Sequence, residues 1–82
     1  MALYFFHLRD GEEVLRDHEG SNLASLIAVQ ARALLSARAL LSADVLEGRL
    51  SLNLRLDIED EAGSLVHRLP FAEAIEVIPP DG

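Results

Sequence analysis

Eighty-two residues without a cysteine, carrying a formal net charge of −7, make one small domain with no disulfide framework, no thiolate metal site and no thiol nucleophile. All seven basic residues are arginine and the fourteen acids outnumber them two to one, so the summed field repels phosphate backbones and anionic lipid, and neither nucleic acid nor membrane is expected as a partner. Half of the chain is apolar, which excludes disorder; no uninterrupted apolar run approaches the roughly 18 residues of a bilayer span and no cationic segment precedes an apolar one, so cytoplasm is the expected location.

Residues 3–9 predict a first strand, with Tyr4, Phe5 and Phe6 side by side, since aromatic side chains suit a pleated, partly buried surface. Asp10-Gly11 signals a two-residue hairpin turn of type I′, which needs positive φ at both central positions. A second strand follows at 13–17, then a polar turn at 17–20. Ser25 is placed to cap a helix over residues 26–47, built of Ala, Leu and Arg, with Gly48 just past its end. Leu50, Leu52, Leu54, Leu56 and Ile58 then alternate with Ser51, Asn53, Arg55, Asp57 and Glu59, a third strand with one apolar and one polar face. Residues 60–63 read as a second hairpin turn, 64–69 as a fourth strand that Pro70 ends, and 71–74 as one helical turn. The expected fold is α+β: hairpin, long helix, hairpin (ββαββ), a four-stranded antiparallel sheet with the helix on one face, forming a single domain over 1–78 with a flexible tail at 79–82.

The helix carries a tandem repeat, Ala31-Arg32-Ala33-Leu34-Leu35-Ser36 followed by Ala37-Arg38-Ala39-Leu40-Leu41-Ser42. A six-residue step turns the helix by about 240°, so the copies face different ways and leucine appears on several sides. Leu26, Ile27, Leu34, Ala37, Leu41 and Val45 form the expected sheet-facing stripe; Ala28, Leu35, Ala39 and Leu46 form a second, with Val29 and Leu40 on yet another side. In strand one, Leu3 and Phe5 point one way and Tyr4, Phe6 and Leu8 the other. One sheet cannot cover all of this, and a thin core gains from association. Tyr4, Phe6, Ala28, Leu35, Ala39 and Leu46 are therefore the candidate interface, with a second copy in a homodimer as the expected partner and a further protein partner as the alternative occupant.

No chemical constellation accompanies this surface. His7 and His67, on two different strands, are the residues that would compete for a zinc ion, but packed or solvent-facing strand histidines are the commoner case and no metal is expected. Asp57, Glu59, Asp60 and Glu61 fail the calcium-loop pattern, because Ala62 and Arg68 stand where a glycine and a bidentate acid are needed. There is no glycine-rich phosphate loop, no lysine to serve one, and no serine in a nucleophile elbow. The arginines, at 9, 16, 32, 38, 49, 55 and 68, look scattered. No catalytic residue and no cofactor is assigned. The leading expectation is a non-enzymatic protein-interaction module that self-associates; the alternatives are a small-ligand or metal-binding regulatory domain, or an antitoxin-like acidic partner of a basic protein.

Tyr4-Phe5-Phe6-His7-Leu8-Arg9-Asp10-Gly11, then Asp17-x-Glu19-Gly20, Glu47-Gly48-Arg49, Asp60-Glu61-x-Gly63 and Leu69-Pro70-Phe71-x-x-Ala74-x-Glu76-Val77, in that order and spacing, resemble a domain-of-unknown-function family of short proteins common in alphaproteobacteria. The resemblance spans nearly the whole chain. It implies a bacterial host and a stand-alone small domain, and brings no activity or catalytic residue. Val29, Leu35 and Leu40 depart from the charged or polar residues usual there.

Overall fold

In the computed structural model, which describes residues 1–81, one helix lies on one antiparallel sheet. Strand β1 (Ala2–Asp10) is inside the sheet and turns through Gly11 and Glu12 into β2 (Glu13–Leu15), with Asp10 paired to Glu13 and Leu8 to Leu15. Gly11 has a φ of +61°, and among the described residues no non-glycine has positive φ. The turn is thus centred one residue later than expected and takes the type II′ form, with glycine first, in place of type I′.

Five strands form where four were expected. The second strand stops at Leu15, residues 16–20 bulge away, and β3 (Ser21–Leu23) then resumes pairing nearer the start of β1, Tyr4 against Ser21 and Ala2 against Leu23. On the other hairpin, β4 (Leu54–Glu59) runs along β1 from Phe5 opposite Glu59 to Asp10 opposite Leu54, and β5 (Leu65–Pro70) runs along β4. The order β2-β1-β4-β5 puts the first strand of each hairpin inside. The alternating run from Leu50 becomes strand only at Leu54 because β1 ends at Asp10; there Asn53 Nδ2 donates to Asp10 Oδ1 at 2.7 Å and closes the ladder.

Helix α1 (Leu26–Leu46) begins at Ser25, whose Oγ accepts from the Ala28 amide at 3.2 Å. Its buried face is Val29, Ala33, Ala37 and Leu41, a run at i, i+4 spacing. This corrects the expected stripe. Ala37 and Leu41 are kept and Leu34 flanks the core, but Leu26, Ile27 and Val45 are exposed and Val29 is wholly buried. Apolar residues surround the helix on every side, so its periodicity carries no direction; packing chose the row whose middle residues are alanines, which let the helix lie close on the sheet. That row meets Leu56, Ile58 and Leu69 from the sheet, and Phe71 and Ala74 from a 3-10 turn (Phe71–Glu73) that follows Pro70. Val29, Ile58 and Phe71 are the large side chains most completely withdrawn from water, each contributing about 1.5–3 kcal/mol.

By length and composition α1 also meets the measure of a membrane span, with a mean hydropathy of 1.4 over 18 residues. A search for uninterrupted runs passes over it because Arg32, Arg38 and Asp44 divide it. Here it is the second layer of the domain, and Arg38 Nε donates to the Ala74 carbonyl at 2.8 Å.

Enlarging the contact row should cost more than trimming the outer face. Ala37→Leu is expected to lose about 1–3 kcal/mol of stability through overpacking, whereas Leu35→Ala is expected to stay within about 0.5 kcal/mol of the parent. Urea unfolding of both variants checks this; equal losses would mean that the row at Ala33 and Ala37 is not the tight contact.

Candidate functional site

Strand alternation divides the side chains cleanly. Tyr4, Phe6 and Leu8 of β1 and Leu54, Leu56 and Ile58 of β4 turn toward the helix. Phe5, His7, Arg9, Arg55, Asp57 and Glu59 turn to the other face, which no helix covers. The molecule is 18 Å thick along its shortest axis, room for one sheet and one helix and no third layer.

On this open face a polar network replaces the missing ladder at the bulge. The register leaves the middle of β1, residues 5–7, between the segments that β2 and β3 pair. Asp17 fills the gap. Its Oδ2 accepts from the Phe6 amide at 3.1 Å, and its Oδ1 accepts from the amides of Glu19 at 3.2 Å and Gly20 at 3.1 Å. Its own amide donates to His7 Nδ1 at 3.1 Å, which places the proton of the neutral ring on Nε2, 3.4 Å from Glu59 Oε1. Burial pushes the Asp17 carboxyl up, but the amides of Phe6, Gly20 and Glu19 outweigh it and hold the group below the ordinary carboxylate value. Gly20 is required at the end of the bulge. Its φ is +73°, and a Cβ there would come within 2.9 Å of Leu3 Cδ1 and 3.0 Å of Phe5 Cε1. Phe5 in turn stacks on His7, ring centroids 6.4 Å apart and 8° from parallel.

Beside His7 sits Asp57, its register partner on β4 and only 4% exposed. Three arginines converge on it. Arg9 Nε lies 3.1 Å from Oδ2, and Arg55 Nε lies 3.3 Å from Oδ1. Arg68 reaches both oxygens, Nε to Oδ1 at 2.8 Å and Nη2 to Oδ2 at 3.3 Å. Burial raises the Asp57 carboxyl, but the hydrogen bonds and charge of Arg68, with Arg55, carry it below the ordinary value; Arg68 is held more firmly protonated in return. The arginines that look scattered in sequence are therefore not all scattered: three of the seven share one acid.

The expected site residues divide. Tyr4, Phe6 and Ala28 are half-buried and packed against the core. Ala39 is exposed, and Leu35 and Leu46 are 65% and 86% exposed. His7 lies opposite Asp57 and His67 opposite Ile58, so the two histidines project from opposite sheet faces and do not meet. Among the described residues no three His, Asp or Glu side chains are grouped to hold a metal ion. Between the sheet and the helix a shallow groove of about 320 Å³ is floored by Phe6, Leu8, Leu40 and Leu56 and rimmed by Arg16 and Asp17. Asp17 and the arginine cluster escape sequence reading because they depend on which strands are neighbours. The one available signal is parity, which puts Arg55, Asp57 and Glu59 on a single face.

The architecture defines a small two-layer α+β domain built from two hairpins and a helix. Residues 3–72 match the model of the family described as Domain of unknown function (DUF6894), from β1 to the 3-10 turn, and the chain belongs to that family. No curated protein and no solved structure matches it.

Both Asp17 and Asp57 have folded-state pKa values below their unfolded ones. The unfolded chain therefore binds protons that the folded chain does not, and the stability these groups supply is complete above about pH 4 and lost as pH falls through their folded values. Asp17→Asn, which puts amide protons among backbone donors, is expected to cost about 1–3 kcal/mol at pH 7 and to flatten the acid loss. Urea unfolding at pH 7 and pH 3 reads both; an unchanged acid profile would contradict the role given to Asp17.

Proposed function

We propose that this chain is a non-enzymatic protein-interaction module that associates with itself through the outer face of α1. The observation that carries the reading is the exposure of that face: Ile27 is 78%, Leu35 65% and Leu46 86% exposed. With Ala31, Ala39, Ser42 and Val45 these residues occupy an arc of roughly 120°. The arc holds one charged residue, Arg38, and its Nε is committed to Ala74. An apolar surface of this extent, on a domain whose core is one layer deep, favours a partner. A second copy supplies the same strip, and antiparallel pairing about a two-fold axis sets Ile27 of one chain against Leu46 of the other, with Leu35 near the axis.

A second reading rests on the groove under Leu40. At about 320 Å³ it is at the small end of ligand pockets, and its lining by Phe6, Leu8, Leu40 and Leu56 suits a small apolar ligand.

Light scattering over a dilution series tests the first reading. The parent is expected to have the mass of a dimer that dissociates on dilution, and Leu35→Glu to be monomeric at every concentration with unchanged circular dichroism. A monomeric parent, or a Leu35→Glu variant with the parent's dimer mass, would overturn it; a monomeric parent that bound neutral lipid vesicles would assign the strip to a membrane surface instead.

A further inference from the structure

We propose that the open sheet face is a binding site for a dianionic oxyanion, a phosphate monoester held by Arg9, Arg55 and Arg68. This goes beyond the self-association reading and uses the opposite side of the molecule.

The charge count around Asp57 does not close. Arg9 and Arg55 are direct cross-strand partners on β1 and β4; like charges so placed repel. Arg68 is the cross-strand partner of Asp57 on β5. Three guanidinium groups against Asp57 and the same-face Glu59 leave one positive charge, in a chain whose net charge is −7. Glu59, the next acid along β4, is turned to His7 Nε2. Among the described residues, Asp57 is the one carboxylate within ion-pair distance of these three arginines.

Asp57 is also closely engaged. A carboxylate offers about four acceptor positions; Arg55 Nε, Arg68 Nε and Arg68 Nη2 donate to three of them, and Arg9 Nε stands at ion-pair distance beside the fourth. Arg9 and Arg55 face it through Nε, so their Nη groups are left for another acceptor. The side chains are 34%, 35% and 49% exposed, anchored at one end and open to solvent at the other. Anchoring fixes the planar forks before a ligand arrives and so lowers the entropy cost of binding. Arginine forks match phosphate oxygens in geometry. A phosphate monoester carries about −1.5 to −2 at pH 7 and offers three terminal oxygens to the open Nη groups, more acceptors than a single carboxylate presents. Asp57 is the positioning residue of this site, and the three arginines are its ligand-binding residues.

The test follows the arginine Nε–Hε signals of the ¹⁵N-labelled parent by NMR. Inorganic phosphate, phenyl phosphate and acetate are added in turn at pH 7.5 and constant ionic strength. The expected result is that Arg9, Arg55 and Arg68 shift together and saturate with both phosphates, while Arg16, Arg32 and Arg49 do not move. Tighter binding of phenyl phosphate than of inorganic phosphate identifies an ester as the source; equal binding identifies the free ion and corrects that part of the assignment. Arg55→Gln is expected to weaken phosphate binding at least about tenfold with an unchanged fold. Overturning results are a non-saturating drift shared by all exposed arginines, or acetate binding as tightly as phosphate. The parent titration requires no variant to fold. It is also independent of dimerisation, so its failure is distinguishable from failure of the helix-face reading.

Discussion

The structure depends on a contact between small side chains. Ala33 and Ala37 are fully buried at the centre of the helix–sheet interface, and their size sets how near the helix can lie. With this row turned inward, the leucines of the two repeat copies are sorted by geometry alone. Leu41 goes under the helix, Leu34 and Leu40 to its flanks, and Leu35 to the outside, where Leu46 from beyond the repeat joins it. A helix with a single apolar stripe has one solution to this packing problem. A helix that is apolar all round must leave part of its surface uncovered whichever way it sits. The exposure of Leu35 is thus a consequence of repeating a six-residue unit on a 3.6-residue helix, and Ile27, Val45 and Leu46 extend the strip beyond the repeat.

The sheet solves a different problem. Residues 16–20 interrupt the pairing of β1, and a strand interrupted at its middle leaves a backbone amide without a partner. Asp17 supplies the acceptor at Phe6 and, through its second oxygen, ties the loop to itself at Glu19 and Gly20. The same residue donates its amide to His7. One carboxylate therefore holds the bulge, sets the tautomer of a buried imidazole and, by bringing Gly20 against Leu3 and Phe5, closes one part of the open face. What stays uncovered is the arginine cluster around Asp57. The two faces that emerge are opposite in chemistry, an apolar helix strip and a cationic sheet patch, on a chain whose overall charge is acidic.

Much of the fold is legible in the residues because local signals agree with one another. Ser25 caps the helix, Gly63 closes the second hairpin with positive φ, and the alternation through Leu56 and Ile58 gives the correct buried face. The split second strand was not legible, since Asp17 reads as a turn residue and its long-range bond to Phe6 has no sequence signature. The sheet-facing stripe is not legible, because composition without a hydrophobic period cannot orient a helix. For the candidate surfaces, Leu35, Ala39 and Leu46 could be found by subtraction, as apolar residues left over. Tyr4, Phe6 and Ala28 could not be separated from them without knowing how close the helix lies. The arginine cluster needed the neighbour relations of β1, β4 and β5, which are set by tertiary pairing.

The central claim is that the alanine row inward forces the leucine strip outward into contact with a second copy. Isotope-filtered NOEs in a mixture of labelled and unlabelled chains test it most directly. The account predicts intermolecular contacts from the methyl groups of Ile27, Leu35 and Leu46 and none from Ala33 or Ala37. Intermolecular contacts confined to the β5 edge or to the arginine face, or contacts from Ala33 and Ala37, would contradict it.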